Sequence, residues 1–153
     1  MQFDIKVTEK VAIVNNALDE INASRLFENA DFSIDEMSTE SWLKINLNSC
    51  NDSRIQLSLT LALDTLEISL ENITEVIDWT NEQLRDYRYQ VVNTLKNILT
   101  RNILVEHYGH SKTIIKILDP QGLCINKFTH MERFSWSRQK KKERLYPPIY
   151  IPV

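Results

Sequence analysis

Phe3, Val7, Val11, Val14, Leu18 and Ile21 recur at spacings of 4, 4, 3, 4 and 3 residues. This places one apolar stripe along a first helix of about five turns. Lys6, Lys10, Asp19 and Glu20 fall off the stripe and are expected on its solvated face. The period then changes to two. Phe32 and Ile34 mark a short strand, and Leu43, Ile45 and Leu47 alternate with Lys44, Asn46 and Asn48. After a polar turn cluster from Asn48 to Ser53, the residues Ile55, Leu57, Leu59, Leu61 and Leu63 alternate with Gln56, Ser58 and Thr60. That is the pattern of a strand with one buried and one wet face.

Alternation resumes at Leu66, Ile68 and Leu70 after a phase break of one residue. A two-residue turn at Asp64-Thr65 would set Leu63 opposite Leu66 in a hairpin, although the usual turn glycine is missing. The competing reading puts Leu63, Leu66, Leu70, Ile73 and Ile77 on one helical stripe; the strand-like flanks favour the hairpin. A second helix is marked by a capping box of Thr80 and Gln83. Leu84, Tyr87, Val91, Leu95 and Ile98 form its expected buried stripe. Its end falls between Thr100 and Gly109, with Ile103 to His107 either its last turns or a short strand. Thr113 to Leu118 and Leu123 to His130 read as two strands joined by the turn Asp119-Pro120-Gln121-Gly122.

The order of elements predicts an α+β fold. It comprises an antiparallel sheet of five to six strands, two helices (one N-terminal, one long and central) packed on one face, and an extended C-terminal tail. The 153 residues suit one domain.

Charge divides the chain in two. Residues 1–132 hold 12 Lys+Arg against 20 Asp+Glu, a net −8, and residues 133–153 hold 6 against one acid, a net +5. The expected organisation is an acidic α+β domain over 1–132 followed by a basic, aromatic, proline-containing tail over 133–153. An acidic body needs no partner to explain it, but it could also face a basic protein. Glu75, Asp78, Glu82 and Asp86 offer one candidate surface near the start of the second helix. No apolar run reaches the roughly 20 residues that span a bilayer, and the N-terminus lacks the apolar core of a signal peptide. The expectation is a cytoplasmic protein with no membrane partner.

Chemistry is thinly represented. Only Gly109 and Gly122 are present, so a phosphate-cradling loop, which needs several glycines, is excluded. Cys124 lies in an apolar strand and reads as a buried, inert thiol; with no secretory signal, pairing with Cys50 is not expected. His107, His110 and His130, with Glu106, Asp119 and Glu132 nearby, match no metal-ligand spacing. No catalytic residue, metal or cofactor is assigned.

The tail carries the candidate site. Phe134, Trp136 and Arg138 interleave aromatic and basic side chains, and Lys140, Lys141, Lys142 and Arg144 follow. Such a mixture can stack bases and neutralise phosphates. Tyr146 and Tyr150 lie in an apolar, proline-fixed stretch that should be covered, by the protein's own sheet or by a partner. These nine residues are the expected partner-binding set.

The expected function is a non-enzymatic protein–protein interaction module, an inhibitor or adaptor. One alternative is a nucleic-acid-associated protein using the basic segment. Another is a small hydrolase or nuclease with a histidine site. At the level of architecture only, helix–strands–helix–strands with an acidic body is similar to small bacterial secretion chaperones and to some toxin-immunity proteins. Secretion chaperones end in a helix, whereas this chain ends in a proline-rich stretch.

Overall fold

A computed structural model describes residues 2–21, 32–49, 54–71, 73–77, 80–109, 111–131 and 140–150. The elements are α1 (Ile5–Glu20), β1 (Phe32–Thr39), β2 (Trp42–Ser49), β3 (Leu57–Ala62), β4 (Leu66–Leu70), β5 (Ile73–Ile77), α2 (Asn81–Thr100), β6 (Asn102–Tyr108), β7 (Lys112–Leu118), β8 (Cys124–Met131) and β9 (Lys140–Tyr146).

The fold is α+β, with two helices and two antiparallel sheets. A single sheet of five to six strands was expected. Instead β1-β2-β3-β4-β5 form one five-stranded meander, and β8-β7-β6-β9 form a second sheet of four. The division follows from α2, which interrupts the run of hairpins and starts a new sheet on its far side. No helix among the described residues is long and apolar enough to cross a membrane.

Local chemistry accounts for the elements. Asp4 caps α1, its carboxylate accepting from the Lys6 backbone N–H at 2.8 Å. Thr80 and Gln83 form the expected capping box at the start of α2. β3 alternates buried leucines, Leu57, Leu59 and Leu61, with half-buried Ser58 and Thr60. The β3–β4 turn lies one residue earlier than expected. Leu61 faces Leu66, the Ala62 N–H donates to the Thr65 carbonyl at 3.0 Å, and Leu63-Asp64 form the loop.

β5 was not anticipated as a strand. Leu70 pairs with Ile73 across a second tight turn, and Glu71 adopts the left-handed backbone there at φ 55°. That conformation usually signals Gly or Asn, so Glu71 concealed the turn.

The structure ends α2 at Thr100 and makes 102–108 a strand. Tyr87, expected on the buried stripe, is 48% exposed. Between Asn81 and Gln90 only Leu84 is buried, so the first half of α2 lies largely in solvent. Its second half, with Val91, Leu95, Ile98 and Leu99, joins α1 and both sheets in one apolar core. The helices pack on each other, and α1 lies against β3. Ile68, Leu70 and Ile73 of the first sheet meet Ile115 and Phe128 of the second.

Candidate functional site

The two edge strands of the second sheet bring most of the candidate residues into view. β9 is the basic segment that was expected to be an extended tail. It pairs antiparallel with β6, setting Tyr146 opposite Ile103, Arg144 opposite Val105 and Lys142 opposite His107, with a register shift at His107/Tyr108. Tyr146 is buried beneath the sheet, and its hydroxyl donates to Glu71. Burial, reinforced by that bond, pushes its pKa up to about 12. The Arg144 guanidinium stacks on the Tyr146 ring, 4.4 Å from its centroid. Beyond the strand Ile149 and Tyr150 are also buried. The Tyr150 N–H donates to the Leu99 carbonyl at 2.8 Å, and Arg54 donates to the Ile149 carbonyl at 3.4 Å.

The expected partner-binding set is therefore divided. Lys142 and Arg144 are exposed on β9, and Lys140 and Lys141 lie on the same strand. Tyr146 and Tyr150 belong to the interior. Phe134, Trp136 and Arg138 lie outside the described residues.

β8 forms the opposite edge, and the turn before it fixes its start. The Asp119 carboxylate accepts from the N–H groups of Gln121 (2.9 Å) and Leu123 (2.8 Å). The Gly122 N–H returns to the Asp119 carbonyl, with Gly122 at φ 86°. This positive φ favours glycine at the end of the turn. β8 runs eight residues and pairs with β7; among the described residues no strand lies on its other side. Phe128 points inward beside Ile115, while Leu123, Ile125 and Met131 are 67%, 39% and 44% exposed.

Cys124, expected to be buried, is exposed and its thiol donates to the Asn126 carbonyl at 3.3 Å. The expectation failed because an apolar alternating strand at a sheet edge is not covered on both sides.

On the outer face of this sheet Lys116 and Lys127 stand directly opposite each other. Lys116 donates to buried Glu106 at 2.8 Å, and this bond raises the lysine pKa. Tyr108 donates to the other oxygen of Glu106, and Lys112 lies over the Tyr108 ring at 5.6 Å. Lys127 is exposed and forms no ion pair among the described residues. Nothing in the sequence identified this face, because it depends on which strands become neighbours.

The histidines are held apart. His107 contacts Thr113 at 3.1 Å, and Thr113 also faces His130 across the next ladder. The two histidines therefore sit on strands about 9–10 Å apart with Thr113 between them. His110 lies outside the described residues. Among those described, no group of three potential ligands could hold a metal ion.

A cleft of about 240 Å³ separates α1 from α2, lined by Glu9, Ala12, Ile13, Leu84, Arg85 and Arg88 among others. Its polar groups bond one another. Arg85 pairs with Glu9 at 2.7 Å and Asn81 also donates to Glu9; in that order the two bonds hold the Glu9 carboxyl below its ordinary range.

Beneath this end of the helices lies Lys10, expected on the wet face but only 1% exposed. Its ammonium donates to the Leu63 carbonyl at 2.7 Å and to Asn81 at 2.8 Å, while burial pushes its pKa down. It ties α1 to the β3–β4 turn and to α2, a structural role. Of the proposed acidic surface, Glu82 and Asp86 are exposed on α2. Glu75 belongs to β5, and Asp78 lies outside the described residues, so the four do not share one helix.

No protein-family model matches the chain, and no curated protein is detectably similar to it.

Proposed function

We propose that the protein is a non-enzymatic interaction module, an inhibitor or adaptor, that binds another protein along β8. The observation carrying this reading is the open β8 edge. An exposed, apolar edge strand is a template for pairing, and native sheets usually blunt such edges with charge, proline, bulges or a covering element. β8 has one lysine, no proline and a single register shift near its start over its eight residues. Leu123 just before it and Ile125 and Met131 within it are exposed. Main-chain hydrogen bonds to an added strand would supply affinity, and the alternate side chains would supply selectivity.

The basic segment supports a nucleic-acid role less well. Arg144 is engaged with its own Tyr146 ring, and residues 1–132 repel a polyanion through their net −8.

The test is capture from the native host with the intact chain and with an Ile125→Glu/Met131→Glu variant. Both positions are exposed, so the fold should be retained. A protein retained by the wild type and lost by the variant is the expected outcome. Equal retention by both would remove β8 from the function, and salt-sensitive retention of DNA or RNA alone would favour the nucleic-acid reading.

A further inference from the structure

From the charge pattern beside the β8 edge, we infer that its occupant is an extended segment of a partner protein carrying an acidic residue opposite Lys127. This inference rests on the reading of β8 as a docking edge and adds the chemistry of what docks.

Lys116 and Lys127 are directly cross-strand on one face, an arrangement that is repulsive unless each is compensated. Lys116 has its carboxylate, Glu106, at 2.8 Å on the side away from β8. Lys127 has none among the described residues, and the open side of its strand is the place where one would come from. A strand added there brings the side chain opposite Lys127 to within about 5 Å, Cβ to Cβ. A carboxylate at that position would give Lys127 the counter-charge that Glu106 gives Lys116.

The same geometry sets the flanking residues. Ile125 and Met131 lie two and four positions from Lys127 on opposite sides. β8 is regular from Asn126 to Met131, so the partner segment should carry an aliphatic residue four places from its acid on that side. Ile125 lies at the register shift and calls for an aliphatic residue near the acid on the other.

A second copy of this chain fits less well. From Leu123 to Met131 the sequence contains no Asp or Glu, so β8 paired with itself offers Lys127 no counter-charge in any register. Charge complementarity thus favours a different protein over self-association.

Selection of a displayed library of random nine-residue peptides on the intact chain tests this, followed by affinity and hydrogen-exchange measurements with the selected peptides. The expected result is enrichment of peptides with one acid flanked by aliphatic residues, and slowed exchange at residues 124–129. Replacing the acid with glutamine should weaken binding about fivefold, the scale of one exposed ion pair. Lys127→Glu should weaken it further, and a lysine in place of the peptide's acid should then restore it.

Peptides that protect 124–129 but are indifferent to Lys127→Glu would overturn the inference while leaving β8 a docking edge. Dimerisation of the chain with protection of the same amides would make the second copy the occupant and also overturn it. A selection yielding no peptide that protects 124–129 would overturn it as well. The broader reading fails separately, when the host partner is still captured by the Ile125→Glu/Met131→Glu variant.

Discussion

β8 and β9 bound the same four-stranded sheet on opposite sides, and their chemistry is opposite. β9 carries Lys140, Lys141, Lys142 and Arg144, a density of charge that stops an edge from pairing. Each edge strand also has one register shift against its neighbour, so charge is what separates the two. Its last residue and those just beyond, Tyr146, Ile149 and Tyr150, are buried. One short segment thus closes the core with its apolar part and repels other strands with its charged part. β8 offers one inward anchor, Phe128, and otherwise shows solvent a mixed apolar edge with a single lysine. The contrast teaches that the basic run, prominent in the sequence as a binding motif, is better explained as protection. Both strands are edges among the described residues, and the less conspicuous one is the one with less charge along it.

The largest test of this contrast is a matched pair of substitutions. Ile149→Asp would bury an unpaired carboxylate at a fully enclosed position, costing more than about 4 kcal/mol and unfolding much of the population. Ile125→Asp on β8 should change stability by no more than about 0.5 kcal/mol. Urea unfolding of the two variants measures both, and comparable losses would show that β8 is covered like β9's anchor.

Alkaline titration gives a smaller effect. The Tyr146 hydroxyl has a pKa raised from 10.0 to about 12 in the fold, so folding favours its neutral form. That contribution is complete below pH 10 and is lost as pH rises through about 12. It amounts to about 3 kcal/mol by linkage. Tyr146→Phe should lack this loss, so its stability deficit relative to wild type should shrink above pH 10. A constant difference across that range would mean that the hydroxyl is not held in the interior by burial and Glu71.

The two facing lysines give the finest comparison. Lys116→Ala removes one donor from the buried Glu106 carboxylate, to which Tyr108 also donates. Lys116 is itself partly exposed, so the cost should be about 1–2 kcal/mol rather than that of a fully buried pair. Lys127→Ala should be neutral or slightly stabilising, because it relieves like-charge repulsion. Thermal melts of the single variants distinguish the two positions, and equal losses would show that Lys127 already has a partner.

Much of the fold was legible wherever the signal is local. The leucine alternation of β3, the Thr80–Gln83 capping box and the Asp119–Gly122 turn all stand as read, because each depends on neighbours within a few residues. β5 was hidden by a Glu in the left-handed turn position. β9 was hidden because a protected edge replaces the period-two apolar pattern with lysines. Lys10 was assigned to solvent because helical spacing marks the core-facing stripe, whereas a long side chain beside it can still be enclosed by a neighbouring turn and helix.

The candidate site was least legible. Strand order, which separates edge from centre, is set by long-range pairing. The exposure of Cys124, Ile125 and Met131 and the confrontation of Lys116 with Lys127 follow from that order alone.

Hydrogen–deuterium exchange on the chain, free and in complex with the protein it captures from its host, is the most direct measurement of the β8 assignment. The expected result is slowed uptake across residues 124–129 in the complex, with 140–146 unchanged. Protection confined to β9 or to the two helices, with 124–129 exchanging as in the free chain, would contradict it.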